Sequence, residues 1–151
     1  MTSNAELQHL DLIDLLNERH HLVQGISEKE WNEKNSIYIS HSEWYILAKI
    51  YNKQPAISSI TKNVDISRQA IHKLIKNLSA KGLTEVHKME DNKKEKYIEL
   101  TAFGKKCYEE KAKHKAQLEN EITEKLGEEQ VKVLKDILRM DWGVSDAANG
   151  K

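Results

Sequence analysis

A chain of 151 residues with 24 basic and 24 acidic side chains suits one domain with a real core, and its zero net charge gives no pull toward a polyanion. A lone cysteine, Cys107, rules out an internal disulfide framework, and no apolar run approaches the roughly 20 residues of a bilayer-spanning helix. The N-terminal "MTSNAELQHL" lacks the charged-then-apolar pattern of a secretory signal, so a soluble cytoplasmic protein with no membrane partner is expected.

The neutral total conceals a segregation. Residues 1–52 carry four Lys/Arg against eight Asp/Glu, residues 53–106 carry twelve against six, and residues 107–151 carry eight against ten. A basic middle between acidic ends is the footprint of a chain that meets a polyanion through its centre. The same counts also arise from charges clustering on a solvated surface.

From the N-terminus the chain reads as mostly helical, without repeats or low-complexity linkers. Leu7, Leu10, Ile13, Leu16 and His20 fall at helical spacing in a long amphipathic helix from about Asn4 to Val23. A break is expected around Gly25 to Tyr38. "SHSE" then opens a second helix, where Ser40 can cap the first amides and Glu43 can reach back, as in a capping box. Trp44, Leu47, Ala48 and Tyr51 supply its expected apolar face. Pro55 suits a first-turn position, and Ile57, Ile60, Thr61 and Val64 pattern a short helix.

The next stretch is "ISRQAIHKLIKNL", residues 66–78. Ser67 caps it, Ile66 and Ile71 stand at the positions of a hydrophobic staple, and Asp65 falls in the preceding turn. Ile71, Leu74, Ile75 and Leu78 form a core-facing stripe, while Arg68, Gln69, His72, Lys73 and Lys76 share the other side. Together with the short helix before it, this makes a helix–turn–helix.

Gly82 ends that helix and the apolar period changes from about 3.6 to 2. "LTEVHKM" and "KYIELT" read as strands, joined by the polar turn "EDNKKE". A hairpin directly after a recognition-type helix is the winged variant of the motif. Thr101 caps a long helix to about Lys125, and a last helix from about Glu128 to Met140 sets Val131, Leu134, Ile137 and Leu138 on one side. The expected fold is mainly α with a two-stranded β-wing. It is one domain, with a winged helix–turn–helix over 39–101 and dimerisation helices over 1–38 and 102–151. Leu7, Leu10, Ile13 and Leu16, with Leu134, Ile137, Leu138 and Trp142, are too apolar for solvated termini and are expected to bury one another across a two-fold axis.

The order of helices, "SRQAIHKLIKNLSAKGL", the wing and "IELTAFGKK" resemble the MarR family of bacterial transcription regulators over nearly the whole chain. The most specific piece is Leu100-Thr101 with Gly104, which matches the family's Leu-Thr-x-x-Gly. The resemblance implies a homodimer joined by its terminal helices, with two winged regions on pseudo-palindromic double-stranded DNA. It also implies a repressor released by a small, often phenolic, effector. Two positions depart from the pattern. The family's Asp-x-Arg at the wing tip becomes Asn92 and Lys94 when counted back from Leu100-Thr101, or Asp91 and Lys93 if the wing is one residue longer. Lysine lacks the planar fork and weak hydration of arginine. Asp65 stands where many members have glycine, and aspartate tolerates left-handed backbone well.

In a major groove the N-terminal part of the recognition helix lies nearest the bases. Arg68 can pair in bidentate fashion with guanine and Gln69 with adenine, and His72 can meet a base or a phosphate. Lys73 and Lys76 suit phosphates. With Ser67, Asn92, Lys93 and Lys94 they complete the expected DNA-binding set. Trp31, Trp44, Tyr45 and Tyr51 gather where the family lodges ligands and form a candidate pocket for a small aromatic effector. Relatives that bind zinc use His, Glu and Cys at the hinge. Here His20 and His21 are sequence neighbours that point apart, while His41 and His114 stand alone, so solvated or capping histidines and no metal or cofactor are expected. Cys107 is expected to be packed and inert, and no nucleophile–base pair or phosphate-cradling loop suggests an enzyme. The alternative function is a winged protein-interaction module whose basic face holds an acidic partner.

Overall fold

The computed structural model describes residues 4–63, 66–91 and 94–144. Val64, Asp65, Asn92 and Lys93, expected in the turn and at the wing tip, lie outside the described residues, as does the register of that tip. The chain divides into two compact units, 1–38 and 39–151.

In the first unit the single expected helix is two, Asn4–Leu7 (α1) and Leu12–Lys34 (α2). Asp11 causes the restart. Its carboxylate accepts the Asp14 amide at 2.8 Å, which caps α2 and leaves the preceding residues outside it. Contrary to the expected break, α2 runs through Gly25 to Lys34. One glycine costs a helix only about 1 kcal/mol relative to alanine. The Glu- and Lys-rich stretch that follows carries i,i+4 contacts from Gln24 to Glu28 and from Lys34 to Glu30. Trp31 is buried near the end of α2, and its indole N–H donates to the Ile37 carbonyl at 3.0 Å.

The second unit orders His41–Ile50 (α3), Ile57–Asn63 (α4), Arg68–Ala80 (α5), Thr84–Lys88 (β1), Lys96–Leu100 (β2), Ala102–Leu126 (α6) and Glu128–Arg139 (α7). Ser40 and Glu43 form the capping box that their spacing predicts, at 3.1 and 2.8 Å. The buried face of α3 is rotated from the expected one. Glu43, Ile46, Leu47 and Ile50 face inward, while Ala48 is exposed. A carboxylate can occupy that face because Lys81, just beyond α5, places its ammonium 2.7 and 2.9 Å from the Glu43 oxygens. This pair clamps α5 to α3, and an isolated charge there would be costly.

Pro55 precedes α4 instead of standing in its first turn. Its carbonyl accepts the Ile98 amide at 3.0 Å, and Ala56 bridges Tyr97, so residues 55–56 extend the hairpin. In the hairpin β1 and β2 run antiparallel, from Thr84 opposite Leu100 to Lys88 opposite Lys96. On α5, Ile71, Ile75 and Leu78 are buried and Leu74 only half-buried, so the core stripe is narrower than its spacing suggests.

Gly82, at φ 78°, stops α5. The Leu83 amide donates to Leu78 and the Gly82 amide to Ser79, both at 3.0 Å, which is a complete Schellman stop. The start of α6 is built onto this turn. The Thr101 amide donates to the Leu83 carbonyl at 3.1 Å, and the Thr101 hydroxyl donates to the Gly82 carbonyl at 2.7 Å while accepting the Gly104 amide at 2.9 Å. A Cβ on Gly104 would overlap the Leu83 carbonyl oxygen and come within 2.9 Å of its carbon. Leu-Thr-x-x-Gly is therefore the joint between the wing and the long helix.

The inner stripe of α6 is Gly104, Cys107, Lys111 and His114. His114, expected at the surface, is buried as the last member of that stripe. Burial pushes the Cys107 thiol up in pKa, which leaves little thiolate near neutrality. Cys107 in the folded protein should accordingly react with a chromogenic disulfide reagent about tenfold or more slowly than in denaturant. Equal rates under the two conditions would contradict this packing. Among the described residues, no helix is long and apolar enough to cross a membrane.

Candidate nucleic-acid interface

The sequence of α5 separates two jobs onto two sides. Ile71, Ile75 and Leu78 anchor it, and this leaves Arg68, Gln69, His72, Lys73 and Lys76 exposed on the outer side. Ser67 is the N-cap, its hydroxyl oxygen accepting the Ala70 amide at 3.2 Å. That cap opens the helix one residue before Arg68 and so aims Arg68 and Gln69 outward from the first turn.

Arg68 and His72 line an open cleft together with Ser58 and Thr61 of α4 and with Lys94 and Lys96 of the wing. Three cations thus converge from two elements far apart in sequence. The acidic group in the same cleft, Glu95, accepts the Ser58 hydroxyl at 2.8 Å, which ties the wing to α4. An open cleft lined by cations from α5 and from the wing can hold a polyanion, with Arg68 at the start of the helix beside it.

Of the residues expected to bind DNA, Arg68, His72 and Lys94 share this cleft, and Gln69, Lys73 and Lys76 lie exposed along the same helix. Asn92 and Lys93 lie outside the described residues. The sequence reading missed Lys96, Ser58 and Thr61. Lys96 is legible only as the first residue of a strand, and its position in the cleft follows from the hairpin folding back onto α4.

The four aromatic residues expected to form an effector pocket are placed as follows. Trp31 belongs to the first unit. Trp44 is half-buried with the Lys111 ammonium 5.2 Å from its ring centre. Tyr51 donates its hydroxyl to Glu109 at 2.6 Å and lays its ring 4.5 Å from that of Tyr108. That carboxylate holds the Tyr51 phenol above its usual pKa. Tyr45 is exposed, with Lys49 over its ring at 5.1 Å. Trp44 and Tyr51 therefore both connect α3 to α6, whereas Tyr45 faces solvent.

The family model for winged helix DNA-binding domains matches residues 39–104, which run from α3 through the wing into the first turn of α6. No curated protein matches the sequence. Solved structures do. The DNA complex of FabT from Streptococcus pneumoniae superposes with a TM-score of 0.73 at 22% identity, covering 84% of this chain and 90% of that one. The MepR–DNA complex of S. aureus gives 0.70 at 20% identity, covering 86% and 94%. A SlyA-like transcription regulator from Listeria monocytogenes gives 0.68 at 21% identity, covering 86% and 85%. Identities this low speak for the fold. Residues 39–104 are a winged helix domain, and 84–86% of the chain shares the fold of these solved regulators.

Proposed function

We propose that this protein is a homodimeric transcription regulator that binds a pseudo-palindromic duplex, with α5 in the major groove and the wing on the flanking backbone. The observation that carries this reading is the cationic cleft between α5 and the wing, with Arg68 and Gln69 at its helical start. Two structural neighbours of the same fold, FabT and MepR, were solved bound to DNA, which supports DNA as the partner. Occlusion of a promoter makes the regulator a repressor. Trp44 and Tyr51 join α3 to α6, so a small aromatic effector lodged there would shift the winged region and release the DNA. Asn92 and Lys93 complete the DNA-binding set with Lys94 at the wing.

Dimerisation rests on apolar surface. In α2, Leu12, Ile13 and Leu16 are exposed, and on the other unit Leu134, Ile137, Leu138 and Trp142 are exposed along and beyond α7. So much exposed apolar surface supports an interface with a second copy. Light scattering at micromolar concentration should give twice the 17.5 kDa chain mass, and Ile137→Glu with Leu138→Glu should give the single-chain mass. A monomeric parent would end the two-fold part of the proposal.

Selection of bound duplexes from random DNA tests the function as a whole. A recovered inverted repeat, bound with an affinity that falls steeply with salt, supports the reading. Recovery of no preferred sequence, together with salt-independent binding, would leave the basic face to an acidic protein partner.

A further inference from the structure

Away from the cleft, the wing gathers a second set of groups. The two-residue period of a strand puts Glu85 and His87 on one face of β1, and the register sets Glu99 of β2 directly opposite Glu85. Two carboxylates facing each other across a ladder repel, so this face calls for a positive charge between them. The Nε2 atom of His87 lies 3.1 Å from a Glu99 oxygen and 3.3 Å from a Glu85 oxygen. Although shielded from solvent, that nitrogen makes no hydrogen bond with either.

The spacing is that of a coordination shell. A tetrahedral first-row ion with bonds of about 2.0–2.2 Å separates its ligand atoms by about 3.3–3.6 Å. Two of the separations here already approach that value, and all three ligand atoms lie within 4.8 Å of one another. Glu85, with 56% of its side chain exposed, can rotate to close the third edge. The other two ligands are held in place from behind. The Gln54 amide donates to the second oxygen of Glu99 at 2.6 Å, and the His87 ring lies 5.2 Å from that of Tyr97. Such outer contacts orient the ligands of metal sites.

We propose that Glu85, His87 and Glu99 bind a divalent ion of the zinc class, with water completing the shell. One imidazole and two carboxylates suit zinc better than calcium or magnesium, which favour all-oxygen shells. The ion cancels the two facing charges and ties β1 to β2 beside Gln54. Glu85 and His87 are visible as neighbours in the sequence, but Glu99 joins them only through the hairpin register.

The test is calorimetric titration of zinc chloride into the full chain, with cobalt(II) absorption as a second reading of tetrahedral geometry. One ion per chain is expected, with His87→Gln and Glu99→Gln each weakening it about tenfold or more. His20→Gln with His21→Gln should leave it unchanged. His87 and Glu99 are half-buried on the wing, and unaltered melting of each apo variant confirms that folding is intact. Absence of stoichiometric binding, or binding that survives His87→Gln, overturns the proposal. No DNA enters the experiment, so its outcome is independent of the DNA-binding reading.

Discussion

Arg68→Ala should leave the melting temperature unchanged and weaken binding to a selected operator by about 1–3 kcal/mol per half-site, which is about five- to 150-fold. Arg68 is exposed on the first turn of α5, and the core contacts of that helix come from Ile71, Ile75 and Leu78. Loss of a bidentate guanine contact should relax preference at one symmetric pair of positions and leave the other positions as they were. Lys73→Ala should behave differently. A lost phosphate contact weakens operator and scrambled DNA alike and takes about 0.9 from the logarithmic salt slope. Leu78→Ala gives the contrast, because this fully buried side chain should cost about 2–5 kcal/mol of stability whatever DNA is present. The comparison requires melting curves and titrations at two salt concentrations. If Arg68→Ala and Lys73→Ala both bind the operator like the parent, α5 does not read DNA.

Gly104→Ala is expected to damage both stability and binding. Its new methyl group would occupy the space of the Leu83 carbonyl, a backbone atom that cannot rotate away. That carbonyl also accepts the Thr101 amide, so relief of the overlap must move the start of α6 against the wing. Overpacking of this kind costs about 1–3 kcal/mol or more, at about 2–4 °C of melting temperature per kcal/mol for a chain of this size. Because β2 and α6 meet at this joint, the wing should shift and operator affinity should fall as well. Thr101→Ser keeps both hydroxyl hydrogen bonds and should be nearly neutral, whereas Thr101→Ala loses a cap worth about 0.5–2 kcal/mol. A Gly104→Ala protein that melts and binds like the parent would show that this close approach is absent in solution.

What the sequence determined by itself is the set of features closed within a few residues. Ser40 with Glu43, Ser67 and Thr101 start helices where their spacing says, and Gly82 stops one, because each satisfies backbone groups three to five positions away. The same locality made the wing readable as two period-2 runs joined by a polar turn, while the pairing register came from the fold. The exposed side of α5 was legible for a related reason, as the apolar spacing that anchors this helix also fixes which side stays exposed.

Tertiary structure decided what depends on a distant partner. Glu43 reads as a surface cap until Lys81 arrives to neutralise it on the buried face of α3. Pro55 reads as the start of a helix until Ile98 takes its carbonyl. His114 and Lys111 carry no hydrophobic signal, yet they are buried because they follow Gly104 and Cys107 along one side of α6. Lys96 joins Arg68 in the cleft, and Glu99 joins His87 on the wing, through the folding of one hairpin. In each case a polar or conformationally restricted group is matched by another far along the chain. Local propensity records the energetic cost of burying or placing such a group, but only the assembled fold supplies the partner that offsets it.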